Sequence, residues 1–92
     1  MSRKLVELAK QDMVDGNISA ARARLTPEAR MDNPEALRLM GQTYDPRWLI
    51  AHGAVMQFDA MKASQFYVSA KNLGDEEAAR ILDGGTKNEA CR

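Results

Sequence analysis

Residues 21–40 read ARARLTPEARMDNPEALRLM and residues 63–82 read ASQFYVSAKNLGDEEAARIL. Laid over one another at an offset of 42 residues, they match Ala21 with Ala63, Glu35 with Glu77, Ala36 with Ala78 and Arg38 with Arg80. Where identity lapses, apolar character persists: Leu25 answers to Tyr67, Met31 to Leu73, Leu39 to Ile81 and Met40 to Leu82. Each copy carries apolar residues at three-four spacing on either side of a break, so the predicted unit is a helical hairpin, and its recurrence at a fixed period predicts a stacked repeat. No stretch of four or more residues alternates apolar and polar with β-branched content. The expected fold is therefore all-α, with antiparallel hairpins stacked as a short α-α solenoid of five to six helices. Small residues at Ala21, Ala36, Ala63 and Ala78 would let helix axes approach, while Leu25, Met40, Tyr67 and Leu82 fill the space between them.

Ahead of the first copy, Leu5, Leu8, Ala9, Asp12 and Met13 place a mostly apolar stripe on a helix over residues 3–14 that stops at Gly16. Asn17 is positioned to cap the next helix, which carries Ile18, Ala21 and Leu25 on one side. Pro27 predicts a kink or restart there, because its ring clashes with the carbonyl of Ala23, with Thr26 as cap of the restarted turn. Asn33-Pro34-Glu35 is a stronger start signal, and Asp45-Pro46 repeats it, predicting a short helix through Trp48, Leu49 and His52 toward Met56, weakened by Gly53. Asp59 should cap a helix closed by Gly74, and Asp75-Glu76-Glu77 should open a last helix ended by Gly84-Gly85. The whole reads as one domain over residues 1–85: first unit 17–44, insertion 45–58, second unit 59–83, then a flexible polar tail over 86–92.

Thirteen basic and thirteen acidic side chains cancel, which leaves no strong field to recruit nucleic acid or an anionic membrane surface. The single cysteine, Cys91, has no second sulfur to pair with inside the chain, and a reducing compartment is the expectation. Charges interrupt the opening run from Arg3 to Lys10, so neither a signal peptide nor a membrane span is read there. As written, the chain is expected in the cytoplasm, or in the periplasm or membrane-anchored if it is a fragment of a longer protein.

From Ala21 the spacing Ala21, Leu25, Ala29, Asp32, Ala36, Met40, Gly41, Tyr44, and from Ala63 the spacing Ala63, Phe66, Tyr67, Ala70, Leu73, Gly74, Ala78, Leu82, resemble Sel-one-like repeats, a branch of the tetratricopeptide-like (TPR-like) class. Thr43-Tyr44-Asp45-Pro46 followed by Leu49 and Gly53 resembles an insertion seen in bacterial members. The resemblance implies a superhelix that binds other proteins. Asp32 departs from it where the first unit usually has glycine, Lys71 where alanine is common, and Asp83 where a second Leu-Gly closure is expected.

Chemistry is hard to find. His52 is the single histidine and has no ligand partner at helical spacing, Asp75, Glu76 and Glu77 crowd a helix start where carboxylates are favoured anyway, and no serine has a nucleophile-elbow setting. The expectation is a chain that is not an enzyme and takes no cofactor or metal. Met13, Met31, Met40, Met56 and Met61 are read as gap-fillers in the core. Arginines that could line one side of the stack, with the pairing of arginine and tryptophan at Arg47 and Trp48, give the candidate partner-binding set Arg22, Arg38, Tyr44, Arg47 and Trp48. The expected function is a non-catalytic adaptor or scaffold that binds a peptide or protein partner. The alternative is an assembly subunit or secretion-type chaperone that packs, or self-associates, through its C-terminal helix.

Overall fold

A computed structural model describes the backbone of residues 2–54 and 56–90 and the side chains of 4–54 and 56–83. Its elements are α1 (Ser2–Val14), α2 (Ile18–Arg30), α3 (Pro34–Tyr44), α4 (Pro46–Ala51), α5 (Ala60–Asn72) and α6 (Glu76–Ala90), and no strand occurs among the described residues. The fold is all-α. Helix α1 packs antiparallel on α2, α2 on α3, α3 on α5 and α5 on α6, while the short α4 leans on α3. The result is a flat stack, 43 × 29 × 17 Å.

The period seen in the sequence is carried by the backbone. Helices α2 and α5 begin and end at the same offset of 42, as do the starts of α3 and α6. The turn between the helices of each unit has one construction. Asp32 and Gly74 hold φ of +60° and +98°, and the next amide, of Asn33 or Asp75, donates back to the carbonyl of Glu28 or Ala70 at 3.1 and 3.0 Å. This closure satisfies carbonyls that a helix end leaves orphaned. It also explains the departure at position 32: the backbone needs a left-handed residue, and aspartate tolerates that conformation better than most. Asp32→Gly is accordingly expected to raise stability by roughly 0.5–1 kcal/mol, read as a higher urea midpoint with unchanged slope.

Caps follow the sequence at four sites: Asn33 accepts from the amide of Ala36, Asp45 from Arg47, Asp59 from Lys62 and Asp75 from Ala78. At Asn17 the side chain makes no such bond, although the residue occupies the cap position.

Other expectations are corrected. Helix α2 is not restarted at Pro27 but runs through it; Ala23 and Pro27 are exposed, so water can reach the carbonyl that lost its partner, and the Thr26 hydroxyl donates to the Arg22 carbonyl instead of capping a new turn. Helix α4 stops at Ala51, because Gly53 turns left-handed (φ +66°) and the Ala54 amide closes onto Leu49. Helix α6 does not end at Gly84-Gly85 but continues to Ala90, so residues 86–90 of the expected flexible tail are helical, while Cys91 and Arg92 lie outside the described residues. Glycine in a helix costs about 1 kcal/mol without enforcing a stop.

Two connected apolar clusters form the core. The first joins Val6, Ala9 and Met13 of α1 to Ala21, Leu25, Ala36, Leu39 and Met40; the second joins Leu37 to Ala63, Tyr67, Ala70 and Ala78. The small-against-large scheme holds at Ala21, Ala36, Ala63 and Ala78, all fully or almost fully buried, against Leu25, Met40 and Tyr67, with Leu82 half-buried at the rim. The buried stripe of α1 runs through Val6 and not through Leu8, which is 38% exposed. Met13 and Met40 are buried as expected, but Met31 and Met61 are 76% and 73% exposed. Met31 stands at a helix C-cap, past the last turn that faces the core.

Candidate functional site

Both α2 and α5 lie on α3 without packing closely on each other, and the space between them is a groove. Its walls are set by helical spacing: Arg22, Thr26, Ala29 and Arg30 form one stripe of α2, and Lys62, Gln65, Phe66 and Ser69 form one stripe of α5. Leu37, Met40 and Tyr44 of α3 make the floor. Three adjoining cavities of about 390, 260 and 210 Å³ follow one another along it, sharing Lys62 and then Leu37 and Phe66.

One end is polar. The Arg22 guanidinium lies 3.8 Å from the Tyr44 ring centroid; its Nη2 donates to the carbonyls of Thr43 (2.6 Å) and Gln57 (2.9 Å), and its Nε to the Thr43 hydroxyl at 3.4 Å. Arg22 thereby ties the linker after α4 to the end of α3. Burial lowers its pKa, with Tyr44 acting in the opposite direction. Lys62 Nζ stands 4.8 Å from the same ring, and Phe66 stacks on Tyr44 with centroids 6.1 Å apart. Such cation–aromatic contacts are worth about 0.5–2 kcal/mol and hold the cations in place without neutralising them.

The remaining sequence candidates lie elsewhere. Arg38 is half-buried at the joint between units, where Nε donates to both carboxylate oxygens of Asp75 at 3.2 and 3.3 Å while Asp75 caps α6 through the Ala78 amide. Arg47 and Trp48 belong to a second groove of about 340 Å³ between α4 and α6, facing Glu77, Arg80 and Ile81. There Trp48 stacks on His52 with centroids 4.1 Å apart, Arg47 pairs with Asp45 and Arg80 with Glu77. Asp45 is buried and also accepts from the Tyr67 hydroxyl at 2.8 Å.

Of the five candidates, then, Arg22 and Tyr44 meet in the first groove, Arg47 and Trp48 in the second, and Arg38 joins the units. Sequence reading missed Lys62, Phe66, Leu37 and Gln57 as groove residues. The i, i+4 spacing of Lys62 and Phe66 was a usable signal for the α5 wall, whereas the arrival of the linker carbonyl at Arg22 leaves no local trace.

Electrostatically the grooves differ. In the second, both cations are paired with carboxylates of their own helix or cap. In the first, Arg22, Arg30 and Lys62 have no carboxylate at ion-pair distance among the described residues, and Asp59 is the one acidic side chain in the lining. Among those residues no group of three or more His, Cys, Asp or Glu is placed to hold a metal, and no helix is long and apolar enough to cross a membrane. Comparison with protein-family models, curated proteins and solved structures yields no match.

Proposed function

We propose that this chain is a non-catalytic interaction module, a helical-repeat adaptor of the Sel-one-like kind, that holds a peptide or protein segment in the groove between α2 and α5. The observation that carries the reading is the groove itself: an apolar floor and wall at Leu37, Met40 and Phe66, flanked by cations without acidic partners. Repeat stacks present extended surfaces of this sort because successive hairpins are rotated slightly against one another. The matching caps at Asn33 and Asp75 and left-handed turns at Asp32 and Gly74, at one offset, support the repeat assignment.

Peptides selected from a random displayed library against the immobilised chain test the proposal. Their amide-shift footprint is expected on Thr26, Arg30, Lys62, Gln65 and Ser69; a footprint confined to the α4–α6 groove or to α1 contradicts it.

Assembly through the C-terminal helix is the weaker reading. Gly41 lets α3 approach α5 so closely that an added Cβ would lie 2.6 Å from the Tyr67 ring. Its counterpart on α6 at the same offset is the exposed Asp83, so a further unit docking as α5 docks on α3 would meet a carboxylate at the closest approach. That favours α6 as the closing helix of the stack.

A further inference from the structure

We infer that the partner segment is acidic, with two carboxylate side chains about four residues apart on an extended backbone and an apolar side chain between them. The inference rests on the adaptor reading and names the chemistry of its ligand. The groove lining carries Arg22, Arg30 and Lys62 against the single carboxylate of Asp59, although the chain as a whole is neutral.

Arg22 has five N–H donors, of which Nε and the two on Nη2 are taken by Thr43 and Gln57; the Nη1 pair has no acceptor among the described residues. A guanidinium so held loses little freedom when its free Nη1 donates a charge-assisted hydrogen bond to a carboxylate oxygen. At that end Arg22 and Lys62 against Asp59 leave one net positive charge, matched by a monoanionic carboxylate, whereas a dianionic phosphate would be opposed by Asp59.

The spacing follows from the helix. Arg30 lies eight residues beyond Arg22 on α2, about 12 Å along the axis at 1.5 Å per residue. An extended peptide advances about 3.3 Å per residue and covers that span in roughly four. Between the two arginines the groove is apolar, with Ala29, Leu37, Met40 and Phe66 in position to take a leucine-sized side chain.

The probe is the N-acetylated, C-terminally amidated peptide Glu-Thr-Leu-Thr-Glu, titrated into the whole chain and followed by side-chain and amide shifts. Saturable shifts are expected at Arg22 Nε, Arg30 and Lys62. Replacing both glutamates by glutamine should weaken binding about tenfold or more, since each charge-assisted hydrogen bond is worth more than a neutral one. Placing the two glutamates side by side should weaken it at least about threefold, as one charged contact is lost. Arg30→Gln with Lys62→Gln, both exposed positions, should weaken the parent peptide about tenfold while helical circular dichroism is retained.

The inference is overturned by equal affinity for the glutamine peptide, by an unaffected double variant, by no binding of the probe, or by inorganic phosphate occupying the same residues more tightly. The same peptide with a free C-terminus distinguishes the carboxylate source: a gain that survives loss of both glutamates assigns the site to a chain terminus and overturns the side-chain reading. Library peptides that bind the groove without acidic residues overturn the inference and leave the adaptor reading standing. A library footprint outside the groove counts against that reading instead.

Discussion

Asp45→Ala is expected to remove about 3 kcal/mol of stability, measured as a lower urea midpoint. The carboxylate caps α4 through the Arg47 amide at 2.9 Å and accepts the Tyr67 hydroxyl at 2.8 Å from inside the second cluster. Losing a cap costs about 1 kcal/mol, and leaving a buried hydroxyl without an acceptor costs about 1–3 more. The ion pair to Arg47 adds little, because that guanidinium is largely exposed.

Asp45 also predicts a pH dependence. Burial pushes its pKa up, but hydrogen bonds from Arg47 and Tyr67 outweigh that and leave it below the usual carboxylate value. A folded-state pKa below the unfolded one means that the stabilisation is fully present above the unfolded value, near about 4, and is lost as pH falls through the folded one. Asp45→Asn keeps one acceptor oxygen, for the Arg47 amide, and turns its NH2 toward the Tyr67 hydroxyl, which can accept from it, so it should flatten this acid limb at a cost of roughly 1 kcal/mol. An unchanged limb would assign the acid sensitivity to other carboxylates. The same tyrosine is pushed strongly upward by burial and by the adjacent carboxylate, so it remains a donor across the working range.

Local grammar accounts for the part of the fold that was legible in the sequence. Asn33-Pro34, Asp45-Pro46 and Asp59 are cap signals whose physics is complete within four residues, and the structure realises each of them. Copying of apolar character at a fixed offset located Leu25, Leu39, Met40 and Tyr67 in the core and Ile81 and Leu82 at its rim, but the matched Met31 and Leu73 are exposed, because both stand at a helix C-cap. Signals that depend on surroundings were less legible. Pro27 breaks a helix only where the freed carbonyl cannot be solvated, and here Ala23 is exposed. On α1, the stripes through Leu5 and Leu8 and through Val6 both pass through Ala9 and Met13, and packing on α2 chose the second. The arginines show the limit most clearly: Arg38 and Arg22 share a residue type and a helical setting, yet one meets Asp75 across the joint and the other meets two carbonyls and a ring. Which partner arrives is a property of the tertiary fold.

Gly41→Ala should destabilise the chain by about 2 kcal/mol, although alanine is the better helix former by about 1 kcal/mol. The added methyl would lie 2.6 and 2.7 Å from two carbons of the Tyr67 ring and 3.2 Å from the Ala63 carbonyl oxygen. The ring cannot swing aside cheaply, since Tyr67 is 1% exposed and its hydroxyl is held by Asp45. The α3–α5 contact must open instead. If ring crowding is the cause, Gly41→Ala combined with Tyr67→Leu, which installs the side chain that the first unit carries at Leu25, should cost less than the two single losses together by about 1 kcal/mol or more. Simple additivity would place the damage elsewhere. The same wedge reaches the groove, because Tyr44 lies one turn beyond Gly41 on α3 and α5 carries Lys62 and Phe66. Displacing α5 from α3 spreads the floor between the cations, so peptide affinity should fall in Gly41→Ala even under conditions where the chain remains folded. Binding that survives the wedge unchanged would mean that the groove tolerates movement of α5, and that its cations act as a loose patch instead of at a fixed spacing.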